Sequence, residues 1–186
     1  FKENFFNSII IQVKNNKKNL NDENDPAKKI EIISAIIISG LVFKEYNSNF
    51  EKGIKSLKYI VENFFDNNGC PINRNIYDLV QCSKFLVLIK ECCKDAQEYI
   101  PDFLDDLIDK NLTCIKNIST AKNKIPLFNG VSDEDLHDLE KFIVELNYKS
   151  KNKKKYVGGI QIIKNRNNAV FFDTGEPPVK NFSNTY

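Results

Sequence analysis

From Ile30 to Phe43 the chain is apolar at nearly every position, interrupted by Glu31, Ser34 and Ser39. A helix with no polar side cannot lie on a surface; neighbours must enclose it on several sides. At about 14 residues the run falls short of the roughly 20 that a membrane-spanning helix needs. The segment is therefore expected to be a buried core helix. Pro26 is expected to open it, because a fixed φ and a missing N–H suit the first helical position.

The rest of the first 148 residues reads as amphipathic helices arranged around that one. Phe1, Phe5, Ile9 and Val13 recur every four residues on a first helix, and Asn15 to Asp25 reads as a polar break after it. Ile54, Leu57, Val61 and Phe64 form the stripe of a third helix, which stops at Asp66-Asn67-Asn68-Gly69, where Asn and Gly accept the left-handed conformation. Leu79, Cys82, Leu86, Ile89 and Cys93 mark a fourth. A fifth begins at Pro101 and buries Leu104, Ile108, Ile115 and Ile118. A sixth starts at the capping-box pattern Ser132-Asp133-Glu134-Asp135 and carries Leu136, Leu139, Ile143 and Leu146. Short connections predict antiparallel helical hairpins, and no fixed-period repeat points to a regular solenoid.

After Tyr148 the pattern changes. Residues 149–155 are predicted to form a basic linker, a solvated connector without interleaved aromatics. Tyr156 to Lys164 and Ala169 to Asp173 are β-rich runs around Asn165-Arg166-Asn167-Asn168, a hairpin signal. Gly158-Gly159 reads as a bulge or a close-packing point within a strand. Asp173 is expected to end a strand, because Gly175-Glu176-Pro177-Pro178 cannot continue a central one. The expected organisation is a helical domain over 1–148, a linker over 149–155 and the start of a β domain over 156–186. A chain running from Phe1 to Tyr186 on this plan reads as a piece of a longer protein.

Charge narrows the function classes. With 27 Lys and Arg against 25 Asp and Glu, the net charge of +2 argues against a strongly basic nucleic-acid binder. The five cysteines are odd in number, include the vicinal pair Cys92-Cys93 and lack C-x-x-C spacing, a poor disulfide framework and a poor zinc site. Cys82, Cys92, Cys93 and Cys114 fall within apolar helical patterns and are expected to act as small hydrophobes. Asp133, Glu134, Asp135 and Asp138 lack the alternation and glycine of a calcium loop, and no glycine-rich phosphate loop occurs. Neither metal nor cofactor is expected. The single histidine, His137, reads as an ordinary exposed side chain.

Four segments carry a family resemblance. Phe65-Asp66-Asn67-Asn68-Gly69-Cys70-Pro71-Ile72-Asn73-Arg74-Asn75 resembles a D-G-G-x-x-E-R-S/N loop, and Ile125-Pro126-Leu127-Phe128-Asn129-Gly130 a P-L-F-N-D segment. Ala169 to Pro178 resembles a first β-domain strand with D-x-G and following prolines, and Ile36 to Phe43 an A-L-x-F-A-G-L-F-F helix. Taken along the chain, as 36–43, 65–75, 125–130 and 169–178, they are similar to the heparinase II/III-like polysaccharide lyases. The resemblance implies a mainly α fold: a partial (α/α) toroid of antiparallel helical hairpins followed by the first strands of a β-sandwich domain. It also implies a cleft for an acidic polysaccharide cleaved by β-elimination, and a periplasmic or extracellular setting.

Elimination from a uronate needs a group that neutralises the C6 carboxylate, a base for the C5 proton and an acid for the departing O4. The resemblance makes Arg74 the carboxylate partner, with Asn73, Asn75 and Asn129 as further substrate-binding residues and Tyr77 as the catalytic proton carrier. Arg74 equally suits a structural task, pinning its loop against helix-end carbonyls. Asn73 stands where the family has Glu. Ala27 and Lys28 stand near where the family often has an Asn-His pair, and neither replaces His. Two other readings remain: a non-catalytic glycan-binding or cell-surface polysaccharide assembly protein, and a helical scaffold presenting a concave face to another protein.

Overall fold

Pro26 does begin a helix. The computed structural model describes residues 2–120, 125–126, 141–142, 145, 156–165 and 168–176. In it α1 is Lys2–Asp22, α2 is Pro26–Val42, α3 is Ser48–Phe64, α4 is Ile76–Asp95 and α5 is Asp102–Ile118. The strands are β1 (Tyr156–Val157), β2 (Ile160–Lys164) and β3 (Ala169–Asp173). The described fold is therefore mainly helical with a small antiparallel sheet. The chain divides into two compact units, Phe1–Asn63 with Phe85–Leu104, and Phe64–Lys84 with Asp105–Tyr186.

In the first unit Asp25 caps α2 by accepting the Ala27 N–H at 2.9 Å. Ile30, Ile33, Ile36 and Ile37 are buried as expected, but the enclosure is not complete: Ile32, Ile38 and Leu41 are half-buried and Val42 at the helix end is exposed. Its serines do not interrupt the core, because each hydroxyl donates to a carbonyl one turn back, Ser34 to Ile30 at 2.6 Å and Ser39 to Ile36 at 2.7 Å. Asn49 on α3 donates to the Ser39 hydroxyl at 2.9 Å, and Lys17 on α1 donates to Asn49. No helix among the described residues is long and apolar enough to cross a membrane.

That Lys17 contact bears on one correction. The polar break expected from Asn15 does not occur there; α1 runs on to Asp22. Val13 is buried and Lys17, one turn later, is tied to Asn49, so tertiary contacts carry the helix through a polar stretch. The expected apolar face of α1 is only partly used, since Phe5 is 56% exposed.

Helices α2 and α3 approach through small residues. A β-carbon at Gly40 would lie 2.4 Å from the Phe50 backbone nitrogen, and one at Gly53 would lie 2.5 Å from Ile37 Cγ1. Ala for Gly inside an open helix gains about 1 kcal/mol of propensity. At Gly40 the sign should reverse. Overpacking against backbone costs roughly 1–3 kcal/mol, so Gly40→Ala is expected to lower the urea midpoint; a raised midpoint would show the two helices free to separate.

In the second unit the buried faces match the helical stripes: Leu79, Cys82, Ile108, Ile115 and Ile118 all lie in the core. Lys164 on β2 donates to the carbonyls of Asn117 and Ser119 at the end of α5, where a cation complements the exposed carbonyls. The sheet order is β1-β2-β3, with Val157 opposite Ile160 and Ile162 opposite Phe171. Gly158-Gly159 is not a bulge. Both residues have positive φ, 55° and 82°, and they form the two-residue turn of the β1–β2 hairpin. The two-residue β1 is too short for its alternation to separate it from a continuous run.

The second correction concerns the cysteines. Cys70 and Cys114 form a disulfide with Cα atoms 6.3 Å apart, leaving Cys82, Cys92 and Cys93 as thiols. Cys114 is as apolar in its surroundings as expected, but a buried half-cystine and a buried thiol look alike in a helical stripe. Of the expected sixth helix, Lys141, Phe142 and Glu145 are described, all helical; residues 149–155 lie outside the described set.

Candidate functional site

The loop that joins α3 to α4 is built from its aspartate. The Asp66 Oδ1 accepts the N–H groups of Asn68 at 2.9 Å and Cys70 at 2.8 Å, and the Asp66 N–H donates to the Cys70 carbonyl. Gly69 has φ of 81°, but it does not stop the helix, which ends at Phe64; it closes the turn between the bridged Phe65 and Pro71. A β-carbon on it would meet Lys110 and Asn111 on α5 at 2.6–2.9 Å.

Two of the candidate residues cap α4. Asn75 accepts the Asp78 N–H at 3.3 Å, which makes it the N-cap. Asn73 accepts the Asn75 N–H at 3.0 Å and donates to the Asp78 carboxylate at 2.7 Å. Both amides are buried and engaged in this closed set of bonds. Tyr77 sits on the first turn of α4, partly exposed. Asn129 and His137 lie outside the described residues.

Arg74 lies between the two capping amides, at φ of 53°, a conformation that a non-glycine residue keeps only when its surroundings hold it. Its side chain is 9% exposed. Nε donates to the Asp173 carboxylate, 2.9 Å from Oδ1 and 3.1 Å from Oδ2, and Nη1 donates to the Glu176 carbonyl at 2.8 Å. Glycines flank it. A β-carbon at Gly159 would lie 2.8 Å from Arg74 Cδ, and one at Gly175 would lie 2.8 Å from Nη1. Asp173 ends β3, as expected, and also accepts the Gly175 N–H at 3.1 Å. Arg74 thus pins its loop, and its described contacts reach the end of a strand. Its carboxylate partner, missed in the sequence, is a side chain 99 residues away.

What this arrangement can do follows from its bonds. A guanidinium offers five N–H donors. At Arg74, Nε and Nη1 serve the protein. A substrate carboxylate approaching the Nε edge would have to displace Asp173. The Arg74–Asp173 pair is therefore first a device that fixes loop 65–75 against the β3 end.

A concave feature lies in the first unit: a groove of about 450 Å³ lined by Phe50, Glu51, Ile54, Lys55, Lys58, Tyr99 and Pro101. Ile54 belongs to the stripe expected of α3; Phe50 and Lys58, at the same four-residue spacing, and the approach of Tyr99 and Pro101 were not foreseen. The Tyr99 hydroxyl donates to the Asp102 carboxylate at 2.9 Å, and that bond pushes the phenol pKa up. Asn73, Arg74, Asn75 and Tyr77 are not among the lining residues. Desolvation raises the Cys92 and Cys93 thiols, which keeps them protonated, as structural thiols are. No group of His, Cys, Asp and Glu able to hold a metal occurs among the described residues.

Comparison with protein-family models, with curated proteins and with solved structures gives no match to this chain.

Proposed function

We propose that this chain belongs to a heparinase II/III-like protein that acts on an acidic, uronate-containing polysaccharide, with β-elimination as its chemistry. In this reading the helices are part of an (α/α) toroid and the three strands begin a β-sandwich. One observation supports it most. Two of the four resembling segments, the 65–75 loop and the 169–178 strand region, meet through the Arg74–Asp173 ion pair. Segments that resemble one family independently have no reason to touch; segments of one site do. Tyr77, on the helix that Asn75 caps, is the proton carrier in this proposal, and Arg74 sets the position of that helix start.

A second reading, a non-catalytic glycan-binding protein, draws on different observations. Asn73, Arg74 and Asn75 all spend hydrogen bonds on the protein itself, and Ala27 and Lys28 stand near the family's Asn-His positions. The two readings separate on the full-length protein mixed with a panel of uronate polymers and a neutral glucan; residues 1–186 alone are expected to show little or no turnover under either reading. At least tenfold tighter binding to a uronate polymer, weakening as salt screens the charges, is the expected result. Growth of the ultraviolet absorbance of an unsaturated sugar end would assign the lyase. Binding without growth would assign the non-catalytic protein, and equal affinity for the neutral glucan would overturn both.

A further inference from the structure

We propose that the Cys70–Cys114 disulfide is a redox-dependent clasp that holds loop 65–75 in the form in which Arg74 reaches Asp173. The inference stands apart from the polysaccharide reading and rests on packing. Both sulfurs are buried, Cys70 at 3% and Cys114 at 1% exposure. Cys70 has backbone close on either side. Gly69 next to it lies against Lys110 and Asn111 of α5, and a β-carbon at Gly158 would be 2.4 Å from Cys70 Cβ and 2.8 Å from its Sγ. The next residue of the same turn, Gly159, lies against Arg74, and its carbonyl accepts the Thr174 N–H at 2.9 Å. One two-residue turn therefore touches both the disulfide and the arginine.

Opening the disulfide forces movement there. Two thiols cannot stay at bonding distance and must part to van der Waals separation, yet Cys70 is walled by α5 and by the Gly158-Gly159 turn. The displacement passes into that turn and unseats Arg74 from between Gly159 and Gly175. The chemistry needs a dithiol reductant and, because both cysteines are buried, a local opening of the loop that admits it. Its thiolate attacks one sulfur, giving a mixed disulfide and a protein thiolate that takes a proton. Its second thiol then displaces the other protein sulfur, leaving Cys70 and Cys114 as thiols and the reductant as a cyclic disulfide. Two electrons and two protons pass to the protein.

The test uses the whole chain, which has only two arginines, Arg74 and Arg166, so the Arg74 Nε–H resonance is readily assigned. In denaturant without reductant, three thiols are expected to titrate, and five after dithiothreitol. In native buffer the Arg74 Nε–H resonance should stand apart from free arginine, then move to the free position on reduction while the helical circular dichroism is kept. The Cys70→Ala/Cys114→Ala variant, which has no sulfurs to part, should keep one and the same spectrum with and without the reductant. Five thiols without reductant, an Arg74 resonance unmoved by reduction, or loss of helix along with it would each overturn the clasp.

Discussion

Replacing Cys70 and Cys114 together by alanine is expected to lower the free energy of unfolding by about 4 kcal/mol. The cross-link closes a loop with a sequence separation of 44, and loop-closure entropy grows with the logarithm of that length. For a chain of this size each kcal/mol shifts the melting temperature by roughly 2–4 °C, so the midpoint should fall by about 8–16 °C. Urea unfolding of the parent chain with and without reductant gives the same quantity without mutation. The single variant Cys70→Ala should lose nearly as much as the double, because either removes the whole cross-link. A loss under about 1 kcal/mol would mean that the unfolded chain is already compact over this segment, so that the cross-link removes little freedom from it.

The helices were legible because their signals are local. Pro26 with Asp25 before it marks the start of α2, and the three- and four-residue spacing of Leu57, Val61 and Phe64 gives the buried face of α3, while Ile54 lies at the groove. The hairpin around Asn165 to Asn168 was legible for the same reason. What failed was set at a distance. The extent of α1 depends on Lys17 meeting Asn49, 32 residues on. The disulfide depends on a loop cysteine meeting a helical one, and five cysteines leave many pairings open. At the candidate site Arg74 stood out by its motif, but its partner could not be inferred, since nothing near Arg74 in the chain points to Asp173. The capping roles of Asn73 and Asn75 were within reach: Asn before an apolar helix start, with Asp three residues later, is an N-terminal signature. The resemblance drew both residues toward substrate instead.

Asp173→Ala is expected to cost about 2 kcal/mol, below the roughly 3–5 kcal/mol found when one partner of a fully buried pair is removed, because Asp173 is partly open to water. The Arg74 side chain is 9% exposed and that of Asp173 26%, so water can reach the carboxylate more easily than the guanidinium. Removing the carboxylate takes a charged partner from the more buried guanidinium and also frees the Gly175 N–H. Asp173→Asn keeps one acceptor for Nε and should lose less, because a neutral amide oxygen is a weaker partner than a carboxylate. A double-mutant cycle with Arg74→Ala isolates the pair itself: the two changes together should cost roughly 2 kcal/mol less than their sum. Simple additivity would show that Arg74 and Asp173 do not depend on each other in solution, and the contact joining the 65–75 loop to the 169–178 region would lose its weight as support for a shared site. A cycle that couples as expected, with uronate binding unchanged in Asp173→Asn, would instead place the sugar contacts away from the Nε edge of Arg74 and leave that residue as the strut beneath the Tyr77 helix start.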